Sequence, residues 1–479
     1  MARNNLFANY DPGANFCEIF GRKGETARSA FSKKLNAYNL RALGQRNRAA
    51  ERELKNLGIT FTVYSDGDAI DRILPFDPIP RPIAKKDWRI IDEGCRQRVT
   101  ALNAFLGDIY NKKKILKDGI VPRDLVLGNK YYRKEMVGFT PPAGVYTHIC
   151  GVDLIRDENG EFLVLEDNCR SPSGVSYVIE NRHLMMRSFP DLMAGVSIEP
   201  VSDYGQRLRE KLLETAPTRV RKPQAVLMTP GVFNSAYFEH VFLAREMGVP
   251  LVEGRDLFVD ENDKVFMKTV TGLEPVHVIY RRIDDDFIDP EVFRKDSMLG
   301  APGLMRAYRA GNVTLANAVG TGVADDKAIY AYMPRIIEYY LGEEAIISNV
   351  KTWICREKDE LSYVLDHLEE LVLKPVGESG GYGIVIGPKA TKKELAAARR
   401  ALKKNPANYV AQPMISLSVC PTLAGNGVGP RHVDLRPFVL TGESSWVLPG
   451  GLTRVAMREG SLIVNSSQGG GSKDTWVMR

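Results

Sequence analysis

An Asn159-Gly160 pair between two runs of alternating apolar residues is the feature that most constrains this chain. Asn-Gly is the strongest short-range hairpin signal, because a tight two-residue turn needs positive φ at both central positions. As a two-residue loop it pairs residues 149–156 with 161–168 and sets Glu158 across from Glu161. The same register puts Asp153 directly opposite Glu166. Opposed side chains share a face with Cβ atoms about 5 Å apart, and like charges there repel. Asn168, two residues beyond Glu166, falls on that face too. Two carboxylates and an amide oxygen converging in this way suit a hard cation such as Mg²⁺. The other reading is a solvent-facing polar stripe on an edge hairpin.

The next segment adds anion-binding groups. Ser171-Pro172-Ser173-Gly174 precedes a predicted helix over 175–186, with Ser171 and Pro172 as the N-cap and first-turn pair. Its unpaired N–H groups, with Ser173 beside them, would point back toward the carboxylates and suit phosphate or a substrate carboxylate. Arg170 offers a bidentate anion contact, or is a surface charge.

A second stretch, Lys374-Pro375-Val376-Gly377-Glu378-Ser379-Gly380-Gly381-Tyr382-Gly383, links predicted strands at 371–374 and 384–386. Backbone N–H groups from Ser379 to Gly383 can approach phosphate oxygens closely. The loop has no P-loop spacing and opens no helix as a dinucleotide fingerprint would. Its unusual feature is Glu378 inside the glycines, which would repel phosphate unless a metal lay between them. The alternative is a flexible hairpin.

At these residues the chain resembles circularly permuted ATP-grasp proteins, similar to the glutathionylspermidine synthetase and eukaryotic glutathione synthetase group. The resemblance runs over roughly residues 75–479. It implies Mg²⁺ ligands at Asp153, Glu166, Asn168 and Glu378, and ATP-phosphate contacts at Lys374 and Lys327. It also implies an adenine-hinge strand at 409–413 that includes Gln412. More closely, the chain is similar to an uncharacterised bacterial branch of that superfamily. The strings that carry this are Glu166-Asp167-Asn168-x-Arg170-x-Pro172-Ser173-Gly174, His432-Val433-Asp434-Leu435-Arg436-Pro437 and Gly450-Gly451-Leu452-Thr453-Arg454. The terminal run from Ser467 to Trp476 belongs with them. The chain departs from the synthetases in having no amidase-like Cys-His region and no unambiguous match to their substrate-binding arginines.

The resemblance implies an α/β fold with α+β lobes, ATP and Mg²⁺ as cofactors, and carboxylate–amine ligation through an acyl phosphate. Arg170, Lys374 and Arg454 would be catalytic; small-molecule or peptide acids and amines would be the substrates. An ATP-grasp phosphotransferase and a catalytically silent nucleotide-binding scaffold are the alternatives.

Organisation along the chain fits that reading. An N-terminal extension over 1–75 is predicted to hold a charged helix at 26–56 and a strand at 59–64. A first part of the ATP-grasp core covers 76–223, a βαβ domain 224–320, and a lid with the second core part 321–479. From Asp87, residues Trp88, Ile91, Cys95, Val99, Leu102, Phe105 and Ile109 recur at helical spacing, a buried stripe. Tyr280-Arg281-Arg282-Ile283-Asp284-Asp285-Asp286 closes a predicted strand. Strand ends in open α/β sheets bind ligands, so Arg281 or Arg282 could hold a substrate carboxylate; the alternative is an arginine–aspartate network. Gly469 to Gly471, near Arg454 and Lys473, is expected to close over phosphate or an acyl group.

With 479 residues, 44% hydrophobic, the chain can bury a large core in two or three lobes. A net charge of +6 without a dense basic block gives no reason to expect nucleic acid. The cysteines at 17, 95, 150, 169, 355 and 420 show no zinc spacing and read as free thiols of a reducing, cytoplasmic compartment. No apolar run approaches the ~18 residues of a membrane span, and no signal-peptide pattern opens the chain. Oligomeric state is not legible.

Overall fold

The structure, a computed structural model, describes residues 6–21, 30–65, 68–218, 220–376, 383–425, 427–461, 464 and 469–479. Its centre is a nine-stranded sheet assembled from three distant parts of the chain. These are the strand Phe76–Ile83, the hairpin Ile149–Arg156 with Phe162–Asn168, and six strands between Val419 and Val477. Ile149–Arg156 lies beside Gly427–Arg436, which is followed across the sheet by Leu452–Val455, Gly471–Val477 and Phe76–Ile83. The two halves of the predicted core therefore share one sheet.

The helix Lys85–Tyr110 covers this sheet, and every residue of the predicted stripe from Trp88 to Ile109 is buried. Each large apolar side chain moved from water to such a core contributes about 1.5–3 kcal/mol. The central βαβ region forms a separate parallel sheet in the order Thr314–Ala316, Val278–Arg281, Ala225–Met228, Leu251–Val252. Helix Tyr237–Met247 makes the crossover between Ala225–Met228 and Leu251–Val252. Strand order reverses between Ala225–Met228 and Val278–Arg281, so their C-terminal ends flank a topological switch point.

A small α+β unit follows, with strands ordered Trp353–Ile354, Tyr409–Pro413, Leu371–Pro375, Val385–Ile386. Its helix Lys392–Lys404 begins where Thr391 and Glu394 form a reciprocal capping box. Leu371, Leu373, Leu402 and Ala411 make its own core.

The two chain termini differ from expectation. The predicted helix over 26–56 is two helices in the described residues, Ala30–Asn36 and Leu40–Asn56, because the Asn39 side chain accepts from Ala42 N at 3.1 Å and starts a new helix. Residues 22–29 lie outside the described set. This region packs onto the nine-stranded sheet. Leu43, Ala50 and Leu54 pack with Phe76, Ile79 and Leu184, and buried Glu18 pairs with Arg81 at 2.7 Å.

At the other end, Gly471–Val477 is a fully buried strand between Leu452–Val455 and Phe76–Ile83. Lys473 is buried there, paired with Asp77 and donating to the carbonyls of Ile79 at 3.1 Å and Pro421 at 2.9 Å. Gly471 and Lys473 are thus parts of the core, not of a closing loop. Among the described residues no helix is long and apolar enough to cross a membrane.

Candidate active site

The hairpin pairs Asp153 with Glu166 and Gly151 with Asn168, as the spacing predicts, but by a different route. Asp157 Oδ1 accepts from Asn159 N at 2.9 Å and from Glu161 N at 2.8 Å, which widens the turn to three residues. Only Gly160 has positive φ (84°) in that turn. The resulting one-residue slip pairs Leu154 with Val164 and is absorbed by a bulge between Asp153 and Leu154.

Strand alternation then lines up charged groups across four strands. Glu166 stands next to Asp153; Asp434 and Arg436 flank Leu435, the residue paired with Leu154; Arg454 lies opposite Asp434. Arg436 donates twice to Asp153, once at 2.8 Å, and Arg454 donates to it at 2.7 Å. Arg454 also pairs with Asp434. Burial opposes ionisation of Asp153, but the two guanidiniums outweigh it and hold its carboxyl well below the usual carboxylate range. Gly151 makes room for this: a Cβ there would meet Arg436 Cδ and Pro172 Cβ at 3.1 Å.

Glu166 is less enclosed. Among the described residues its one ion pair is with Lys327 Nζ at 3.9 Å. Burial and the adjacent Asp153 charge push its carboxyl up. Lys327 is the first residue of the short helix Lys327–Ala331, N-capped by Asp326. Lys374, at the end of the strand Leu371–Pro375, donates to Gln412 Oε1 at 2.5 Å. Burial lowers its ammonium pKa to about 8, with Glu166 pulling it up and Lys327 pushing it down. The structure therefore brings Asp153, Glu166, Asn168, Lys327, Lys374, Gln412 and Arg454 into one cluster.

Glu378, Ser379, Gly380, Gly381 and Tyr382 lie outside the described residues. Gly383 has φ 72°, and a Cβ there would meet Pro375 Cγ at 2.9 Å, so the return into the strand Val385–Ile386 requires glycine.

A hard cation fits this donor set in part. Glu166 and Asn168 offer oxygens on one face, and Mg²⁺ is commonly held by one or two protein oxygens with phosphates and water completing its shell. Asp153 is adjacent, but both its oxygens are engaged by arginine. Among the described residues no group of three or more His, Cys, Asp or Glu is arranged to hold a metal.

Other predicted residues are placed differently. Arg281 is buried and donates to the carbonyls of Asn317 at 2.7 Å, Ile283 at 2.7 Å and Ala318 at 3.0 Å. Arg282 is buried too, donating to Pro172 O at 2.7 Å, Ser173 Oγ at 2.6 Å and Glu239 Oε1 at 2.9 Å. Glu239 Oε2 in turn accepts from Gly174 N at 2.7 Å and Ser176 N at 3.2 Å. The helix Val175–Ser188 thus starts at Gly174, and a buried protein carboxylate occupies the end expected to face a ligand. Arg281 also pairs with Asp285 at 2.7 Å, whereas the ion pair of Arg282 is with Glu239, so both guanidiniums are engaged within the protein. Arg170 is clamped by Asp325 at 2.7 Å, with its guanidinium 4.3 Å from the Tyr131 ring centroid. Burial pushes the Asp325 carboxyl up to about 6, against the pull of Arg170.

The sequence reading names Asp434 and Arg436 only within a resembling string, with no role, and misses Glu239. A signal existed for the first two: Asp434-Leu435-Arg436 at a spacing of two puts both on one face of a strand. None existed for Glu239, which reaches Gly174 from a helix 63 to 65 residues downstream.

A model of the family described as circularly permuted ATP-grasp type 2 matches residues 80–456. An uncharacterised protein of Synechocystis is 53% identical, over 98% of this chain and 98% of its own length. One from Mycobacterium tuberculosis is 53% identical over 88% of this chain and 76% of its own. A Frankia casuarinae protein provisionally named glutamate–cysteine ligase 2-2 is 43% identical over 91% of this chain, which makes up only 50% of that protein. Among solved structures, a glutathione synthetase-like effector from Globodera pallida, in apo form, superposes with a TM-score of 0.61, covering 92% of this chain and 98% of its own. At 12% identity that likeness concerns the fold. At the family level, the family model and the Frankia name support an ATP-dependent carboxylate–amine ligase, a class that works with ATP and Mg²⁺. The match over residues 80–456 spans well over half of the chain, and the chain belongs to the circularly permuted ATP-grasp type 2 family.

Proposed function

We propose that this chain joins a carboxylate to an amine through an acyl-phosphate intermediate, using ATP bound between the nine-stranded sheet and the small α+β unit. The observation that carries the proposal is that Glu166 pairs with Lys327 at 3.9 Å while Lys374, held by Gln412 on a different element, lies near enough to feel the charge of both. Two ammonium groups beside a carboxylate supply what phosphoryl transfer needs: charge neutralisation and a place for a bridging cation. Glu166 and Asn168 would hold Mg²⁺, which when bound neutralises phosphate charge; Glu378 is proposed to join them. Asp153 orients Arg436 and Arg454. A substrate carboxylate oxygen attacks the γ-phosphorus and ADP leaves. The amine then attacks the acyl carbon, the C–O bond to phosphate breaks, and inorganic phosphate departs. Arg454, on the charge row beside Asp153, faces the developing oxyanion. Amino-acid or peptide substrates are proposed on the strength of the Frankia name.

The route has a label signature. An acid carrying ¹⁸O in its carboxylate should deliver one labelled oxygen to inorganic phosphate, with ADP and an amide, only when acid and amine are both present. AMP with pyrophosphate, or a stable phosphorylated product without amide, would sink the ligase reading and favour phosphotransfer.

Lys374 gives a second test. With its ammonium at about 8 before ligand binds, the phosphate-binding protonated form is lost as pH rises through that value. The expected result is an alkaline fall in kcat/KM for ATP with its midpoint near pH 8. In Lys374→Arg that limb should be absent up to about pH 10, because guanidinium stays charged. An unchanged limb in Lys374→Arg would assign it to another group.

A further inference from the structure

Arg98, on the helix Lys85–Tyr110, is buried beneath the face of the hairpin opposite Glu166 and Asn168. Alternation turns Asp167 toward that side, where Arg98 grips both its carboxylate oxygens, Nε at 2.6 Å and Nη2 at 2.8 Å. The third nitrogen, Nη1, donates to Asn349 Oδ1 at 2.8 Å. Asn349 lies in the segment 348–352, which leads into the first strand of the small α+β unit, Trp353–Ile354.

That segment is pinned along the hairpin. Val164 N donates to Ser348 O at 2.9 Å, and Val350 N donates to Val164 O at 2.9 Å. Asn349 Nδ2 donates to Tyr330 O at 2.7 Å, and the Tyr330 hydroxyl donates to Val164 O at 2.6 Å. Tyr330 sits on the helix that begins with Lys327, and its ring centroid is 5.5 Å from the Arg98 guanidinium. Further along the segment, Thr352 Oγ1 accepts from Gln412 Nε2 at 2.9 Å, and Gln412 Oε1 accepts from Lys374 at 2.5 Å.

We propose that Arg98, through Asp167 and Asn349, is a positioning residue that fixes the spacing between the Glu166–Asn168 strand, Lys327 and the lysine of the small α+β unit, and thereby sets ATP affinity. A planar guanidinium with three fixed hydrogen bonds ties two backbones at one distance. A buried ion pair serving stability alone is replaceable by apolar groups of similar volume, whereas a spacer is not. Misplacing reacting groups by about 1 Å can cost about 10²-fold. This role rests on the ATP reading above.

Arg98→Met alone leaves Asp167 buried and unpaired and can prevent folding. The informative variants are Arg98→Met/Asp167→Leu, which removes both charges, and Asn349→Ala, which removes none. ATP affinity is measured by calorimetry, and amide exchange at Val164 and Val350 is followed in the ligand-free protein. Both variants are expected to melt as cooperatively as wild type and to bind ATP about tenfold or more weakly, in the range lost when a supporting contact behind a ligand is removed. Exchange at Val350 should accelerate while the helix Lys85–Tyr110 stays protected. Arg98→Lys should recover folding without recovering affinity. Wild-type ATP affinity and wild-type exchange in the two variants overturn the proposal. A wild-type protein that binds no ATP overturns the nucleotide reading instead; Val350 exchange then decides the clasp, faster in the variants if it exists and unchanged if it does not.

Discussion

Glu166→Gln is expected to lower ATP-dependent turnover by about 10²–10³-fold, the range lost when one preorganised electrostatic group is removed from such a site. The fold should be untouched. Glu166 keeps 34% of its side chain exposed, and its ion pair with Lys327 spans 3.9 Å. Pairs of that kind contribute about 0–1 kcal/mol. The sign can be taken further. Burial and the charge of Asp153 raise the Glu166 carboxyl, so the folded state holds its proton more readily than the unfolded chain does. Its charged form therefore weakens the fold at neutral pH, and the neutral amide removes that penalty. Melting should occur at the wild-type temperature or slightly above it, while turnover collapses. ADP release followed across a Mg²⁺ titration, with a thermal melt of the same sample, separates the two. Full turnover at saturating Mg²⁺ would remove Glu166 from the site.

Much of this site is legible in the chain because strand alternation is strict. Asp153, Glu166 and Asn168 share a face whichever turn closes the hairpin, since the bulge after Asp153 returns the register that the wider turn at Asp157 displaces. The helix over 85–110 was likewise readable from its stripe, because one face meets the core along its whole length. What sequence alone does not reveal is how charges are shared. Arg436 and Arg454 come from strands about 280 and 300 residues beyond Asp153, and only the assembled sheet brings them onto its carboxylate. The same holds for Glu239 at the start of the helix Val175–Ser188, where a local Ser-Pro pattern points to the wrong cap. The expectation of a closing loop at Gly471 fails for a related reason. A terminal glycine run looks like a loop until its neighbours, Phe76–Ile83 and Leu452–Val455, are known to need a strand between them.

Asp153→Asn is expected to behave in the opposite way to Glu166→Gln, lowering the free energy of unfolding by about 3–5 kcal/mol, the usual result of removing one partner of a buried ion pair. Asp153 has no exposed surface and is the carboxylate that Arg436 and Arg454 both face. With an amide in its place, Arg454 retains Asp434. Arg436 retains the Ser173 carbonyl at 3.1 Å, but no ion pair among the described residues. A largely buried guanidinium is left without a counter-charge, and the amide N–H₂ turned toward it adds repulsion. The pH dependence follows from the depressed carboxyl of Asp153. Its stabilisation is complete above the unfolded carboxylate value of about 3.9 and fades only as pH falls toward the lower folded value. Wild type and variant should therefore differ in urea midpoint by a constant amount from neutral pH to about pH 4.5 and converge below that. The double variant Asp153→Asn/Arg436→Gln should recover part of the loss, because it removes the orphaned charge. Equal urea midpoints for wild type and Asp153→Asn at pH 7 would mean that the arginines do not depend on Asp153. Lost turnover in Asp153→Asn could then be attributed to the site itself and not to a loosened sheet.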